Sequence, residues 1–200
     1  MNRLEVALST LLDALARQGT GVALVGGLAV SARTEPRFTR DVDLAVAVAS
    51  DAEAEALVRL LAGSGYRTVA VVEQEATRRL ATVRLAVPAE SSRGIVADLL
   101  FASSGIEPEV VVAAEALEVF PRLTARVAQV GHLIALKLLS RDDRTRPQDL
   151  ADLHALFGVV TDGEITRART AIRLIDERGY ARERNLRAAL QQWLSERRVR

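Results

Sequence analysis

The sequence predicts an α/β (α+β) architecture, a mixed β-sheet flanked by helices and followed by a helical part. Three observations carry that expectation. Short apolar runs bounded by glycines and charged turns recur from Val22 to Phe101, helical periodicity separates several of them, and beyond residue 128 only helical periodicity persists. With 200 residues and 49% apolar content the chain can bury a core, yet it is too short for more than about two domains. The expected division is residues 1–128 for the sheet-bearing part and 129–200 for the helical part.

Along the chain, Leu4, Leu8, Leu11, Leu12 and Leu15 interleave with Glu5, Asp13 and Arg17, which reads as an amphipathic helix rather than a signal peptide. Val22–Val25 is a buried strand, Gly26 and Gly27 punctuate it, and Leu28–Arg33 continues as helix. Asp41–Val48 alternates as a strand, with Asp41, Asp43, Ala45 and Ala47 on one face. Ser50 with Glu53 forms a capping-box pattern that opens a helix running to about Ala62, before Gly63 and Gly65. Tyr66–Val72, Leu80–Val87 and Ile95–Phe101 are three further strands. Pro108 starts a short helix over Glu109–Ala116, and two extended pieces come next, near Val119 and Val127. Gln129–Ser140, Pro147–Phe157, Glu164–Arg178 and Ala181–Arg197 are helical.

Composition excludes several chemistries. Without cysteine there are no disulfides, thiolate metal sites or cysteine nucleophile, which fits a cytoplasmic enzyme. No stretch is apolar enough to span a membrane. A net charge of +1, from 27 basic and 26 acidic residues, gives no whole-molecule field for nucleic acid. Among the basic residues, Lys137 is the sole lysine beside 26 arginines.

The carboxylates carry the chemistry. Asp41 and Asp43, two apart on a strand, point the same way and can converge on hard cations that prefer oxygen ligands. Two magnesium ions about 3.5–4 Å apart serve phosphoryl and nucleotidyl transfer by activating the attacking oxygen and stabilising the leaving pyrophosphate. Asp98 stands in the apolar run Gly94–Phe101, where a lone carboxylate needs a partner, either a metal or an arginine. Gly26 and Gly27 lack Cβ atoms, so a phosphate can approach the backbone at a helix N-terminus. Alone, a Gly-Gly pair is an ordinary turn and Asp-x-Asp an ordinary solvated strand. In this order, with 13 residues between Gly27 and Asp41, they are far more specific.

The stretch Val25–Arg33 followed by Pro36–Leu44 resembles the polymerase-beta-like nucleotidyltransferase superfamily, whose signature is a Gly-Gly or Gly-Ser turn followed by Asp-x-Asp, with Asp98 at the third carboxylate. Ala135–Leu139 and Arg146–Leu153 extend the resemblance to its AbiEii/AbiGii-type toxin branch. The resemblance implies a nucleotidyltransferase core in which Gly26 and Gly27 border the nucleotide. It also implies metal on Asp41, Asp43 and Asp98, Lys137 on the triphosphate, and Asp149 in support of the site. A compact ammonium suits phosphate as a point charge, although a lysine among leucines can also simply snorkel from its helix. Asp149 also suits the first turn after Pro147. The sequence departs from the pattern at Gly27, where many members carry serine, so backbone N–H groups or Ser31 one turn later would have to serve the phosphate.

The function implied is transfer of a nucleoside monophosphate from an NTP, with magnesium, to an acceptor. By resemblance the acceptor is an RNA such as a tRNA end, and a separate antitoxin restrains the enzyme. A small-molecule acceptor and a catalytically silent nucleotide-binding module are the alternatives. The ten arginines against five acidic residues from Glu164 to Arg200 offer phosphate contacts, but a solvated face with i,i+4 pairs such as Arg173 with Glu177 is the better account of them. His132 and His154 lack metal-ligand spacing to each other and are expected to be structural or peripheral.

Overall fold

The computed structural model describes residues 2–88, 94–142, 144 and 147–198. Arg146, which opens the last motif above, lies outside the described residues. The elements are α1 (Arg3–Arg17), β1 (Val22–Val25), α2 (Gly26–Arg33), β2 (Asp41–Val46), α3 (Asp51–Gly63), β3 (Arg67–Glu73), β4 (Leu80–Ala86) and β5 (Val96–Leu100). They continue with α4 (Glu107–Ala113), β6 (Glu115–Phe120), β7 (Leu123–Val127), α5 (Val130–Ser140), α6 (Pro147–Val159), α7 (Asp162–Glu177) and α8 (Leu186–Arg198). The mixed sheet expected from the sequence is present, with seven strands in the order β3-β4-β5-β2-β1-β7-β6.

Apolar periodicity explains the long elements. In α1, Leu4, Leu8, Leu11 and Leu15 are buried on one stripe, and Asn2 closes a capping box with Glu5. Ser50 accepts from the Glu53 amide to start α3, and Thr161 accepts from the Glu164 amide to start α7. Helix α5 carries Leu133, Ile134, Ala135, Leu138 and Leu139 into the interior. It packs on α2, α6, α7 and α8, so helices and sheet share one apolar core.

Several boundaries differ from the periodicity, three of them as follows. The helix begun at Glu107 stops at Ala113 because Glu115–Phe120 pairs antiparallel with β7, and β7 in turn lies parallel to β1. Sheet pairing there overrides the helix-compatible residues up to Ala116. The last helix begins at Leu186 rather than Ala181, because Arg182 and Glu183 both take left-handed backbone conformations, φ 52° and 59°. Strand β2 ends at Val46 rather than Val48. Among the described residues no helix is long and apolar enough to cross a membrane.

Candidate active site

Sheet register brings the carboxylates together. Strand β2 lies between β1 and β5, with Val25 opposite Asp43 on one side and Asp98 opposite Asp43 on the other. Asp41 and Asp43 remain half-buried while Val42 and Leu44 are fully buried, so both acids occupy the same face of β2. Gly26 adopts φ +63°, and a Cβ there would overlap the Asp43 carboxylate. The turn therefore requires glycine twice over, for its backbone and for the space that Asp43 fills. At Gly27 a Cβ would come within 2.8 Å of the Arg37 guanidinium and 2.9 Å of the Thr39 hydroxyl.

A cleft of about 180 Å³ opens over this junction. Gly26, Asp43, Asp98, Lys137, Ser140 and Arg182 are among its lining residues, so the sheet and α5 contribute to the same cleft. The loop after β5 forms another wall through Ser103 and Ser104. That loop is pinned by Glu107, whose carboxylate accepts from the Ser104 amide at 2.7 Å and hydroxyl at 2.9 Å, and burial pushes the Glu107 carboxyl above its ordinary range. A wider groove of about 1070 Å³ adjoins the cleft, sharing Thr82, Asp98, Ser103 and Arg182 and adding Glu73, Glu75 and Glu183. A separate cavity of about 570 Å³ near His132 and Arg167 lies away from these carboxylates.

The partner required by Asp98 is an arginine. Arg84, directly opposite on β4, donates Nε at 2.8 Å and Nη2 at 2.6 Å to the two carboxylate oxygens. Asp98 holds the Arg84 guanidinium still further above its ordinary range, and Asp41 and Asp43 add to the effect. Among the described residues no group of three His, Cys, Asp or Glu side chains converges as a metal site. Asp41 and Asp43 carry oxygen donors of the kind that suits a hard cation, and Asp98 stands one strand away in register. By donor chemistry the three carboxylates suit a divalent cation, and the Arg84 guanidinium holds Asp98 among them.

Lys137 is held on its other flank. Its ammonium contacts Asp149 Oδ1 and Asp152 Oδ2, each at 2.7 Å, and Ser140 donates to Asp149 Oδ2 at 2.9 Å. Asp152 also accepts both prongs of Arg37, Nε at 2.5 Å and Nη2 at 2.7 Å, and its side chain is fully buried. This network ties α5, α6 and the segment before β2 together. Sequence reasoning identified Lys137 and Asp149 but missed Asp152, Arg37 and Arg84. The signal for Asp152 was its position one turn after Asp149 on the same helix. Ser31 is occupied locally, donating to the Gly27 carbonyl at 3.0 Å and accepting from the Arg37 amide at 3.3 Å. Ser31, Gly27, Asp41 and Asp149 sit outside the lining of the cleft.

A family model for the nucleotidyl transferase AbiEii toxin, type IV TA system, matches residues 10–200. The chain belongs to that family. As an AbiEii nucleotidyltransferase it is a transferase with an NTP as substrate. Its fold is similar to an antigenic nucleotidyltransferase-like protein from Paracoccidioides brasiliensis, at 18% identity over 94% of this chain and 92% of that one, with a TM-score of 0.55. It is also similar to ANT(2")-Ia, solved in complex with adenylyl-2"-tobramycin, at 15% identity over 86% of this chain and 98% of that one, TM-score 0.56. No curated protein matches the chain.

Outside the cleft, the arginines of the AbiEii chain's last helices are largely engaged. Arg173 pairs with Glu177 at 2.7 Å, as the i,i+4 spacing predicts, Arg178 with Glu109 and Arg187 with Asp176. His154 packs edge-on to Trp193, which stacks on Phe157. His132 is buried, and that burial, with Arg167 nearby, pushes it down to about 4.

Proposed function

We propose that this AbiEii-family protein transfers a nucleoside monophosphate from an NTP to a hydroxyl of an acceptor, with the triphosphate in the cleft between Gly26 and Lys137. The observation that carries this reading is that Gly26, Asp43, Asp98 and Lys137, far apart in the chain, line the same cleft. The acceptor oxygen attacks the α-phosphorus, the bond to the bridging oxygen breaks, and pyrophosphate leaves. Asp98 lines both cleft and groove, which supports a role in taking the acceptor's proton when Arg84 does not hold it. Lys137 offsets charge on the triphosphate, and its ammonium is kept in place by Asp149 and Asp152. Val25 offers no side-chain cap to α2, which leaves first-turn N–H groups for a phosphate. Magnesium held by Asp41, Asp43 and Asp98 would polarise the phosphates and lower the acceptor's pKa.

In this reading the acceptor is an RNA end, such as that of a tRNA, and an antitoxin protein restrains the enzyme, as the family's type IV toxin–antitoxin description suggests. One observation favours a second acceptor class. Glu73, Glu75 and Glu183 line the groove beside the cleft, a surface better suited to a cationic small molecule than to a phosphate backbone. The retained carboxylates and Lys137 speak against a silent nucleotide-binding module.

The test incubates the protein with each α-labelled NTP and magnesium, together with total RNA or with polyamine-like and aminoglycoside hydroxyl compounds. Label is expected on one acceptor class, with stoichiometric pyrophosphate release, and none with Asp43→Asn. Absence of label and pyrophosphate with every NTP and both acceptor classes would sink the reading.

A further inference from the structure

Asp98 is bound by Arg84 through both oxygens, and the same carboxylate is needed if three acids are to share a cation. A guanidinium gripping both oxygens takes two of the carboxylate's roughly four lone-pair sites and opposes a divalent ion at the others by charge repulsion. The pair is partly shielded, with side-chain exposures of 13% for Asp98 and 44% for Arg84. It lies at the boundary of cleft and groove, and Arg84 reaches it from the groove side. Register sets Asp43, Asp98 and Arg84 side by side on three successive strands, so the guanidinium supplies positive charge beside the acids that a cation would neutralise.

We infer that Arg84 is a placeholder cation: it occupies Asp98 in the nucleotide-free protein and sets the affinity of the carboxylate site for divalent metal by competing for that residue. Arg84 is thus a positioning residue that acts through Asp98. The consequence is a site that takes up free metal poorly and completes its ligand set only when something draws Arg84 away. The phosphates of a metal-bound nucleotide are suited to do so, since a guanidinium exchanges a carboxylate for a phosphate with similar two-pronged geometry. A further effect is protection of Asp98 from repulsion by Asp43, its direct neighbour in register.

The inference rests on reading Asp41, Asp43 and Asp98 as cation ligands, but its test needs neither nucleotide nor acceptor. Manganese binding to the nucleotide-free protein is measured by electron paramagnetic resonance and by calorimetry, with folding checked by circular dichroism. Arg84→Gln is expected to bind manganese roughly tenfold more tightly than the unaltered chain, the scale set by loss of one charge-assisted pair. Adding Asp98→Asn to Arg84→Gln should remove that gain. Arg84→Lys, which keeps the charge and loses the two-pronged grip, should fall between, and it carries the test if the glutamine variant does not fold. Two results overturn the inference: Arg84 variants that bind manganese no more tightly, or a gain that survives the loss of Asp98. Failure here with label transfer intact would leave the transferase reading standing, and the converse result would remove that reading alone.

Discussion

Two charged clusters meet at the cleft through Asp43, Asp98 and Lys137, and they differ in how deeply their acids are buried. On the sheet side, Asp41, Asp43 and Asp98 are half-buried on β2 and β5, and Arg84 is itself partly exposed. On the helical side, Asp152 and Asp149 are buried, and they grip Lys137 and Arg37 in a closed network. A buried ion network costs desolvation and is tolerated only when every member is paired. The helical cluster is thus part of what holds the fold together and also presents Lys137 to the cleft, while the strand cluster is less deeply buried. Stability rests mainly on the helical wall, and both walls contribute to the chemistry.

The largest expected effect would test that division directly. Asp152→Ala takes from Arg37 its two-pronged partner and leaves Lys137 with Asp149 alone, and should cost about 3 kcal/mol in urea unfolding. A cost under about 1 kcal/mol would mean that solvent reaches the network and the contrast is false. Next comes pH, read on the opposite end of α5. His132 is depressed from 6.5 to about 4 by burial first and Arg167 second. The unfolded chain therefore binds the extra proton between those values, so stability is fully present above 6.5 and falls as pH drops toward 4. The loss is at most about 3 kcal/mol, and His132→Leu should flatten the slope in that window.

Gly26→Ala should be milder for stability, about 1–2 kcal/mol for a left-handed alanine, while label transfer falls by about two orders of magnitude because the Asp43 carboxylate is displaced. Asp43→Asn should change the unfolding midpoint least among the site variants and still abolish transfer, which sharpens the contrast with Asp152. Smallest of all, Arg173→Ala removes an exposed i,i+4 pair and should cost no more than about 0.5 kcal/mol by thermal denaturation.

How far the sequence could be read depends on which interactions are local. The strand face shared by Asp41 and Asp43, the Gly26 turn and the capping of α3 are set within a few residues, and they are present as expected. The Arg84–Asp98 pair depends on the antiparallel register of β4 with β5, which no local pattern specifies. Arg37 reaches Asp152 across most of the chain, a contact created only when α6 packs beside α2. The start of α8 was hidden for a related reason. Arg182 donates to the Ser103 carbonyl and hydroxyl from its left-handed turn, a conformation that no propensity of arginine or glutamate favours.

Lys137 gives the protein a single chemical handle. Because the other basic side chains are arginines, the chain carries one ε-amine, and that amine lies in the cleft between the two aspartates that hold it. An amine-selective acylating reagent, apart from any reaction at the α-amine, would mark one atom in the whole molecule. Its rate of labelling becomes a readout of cleft occupancy: whatever displaces or covers that ammonium changes a single adduct peak in a mass spectrum, with no engineered probe and no knowledge of the acceptor.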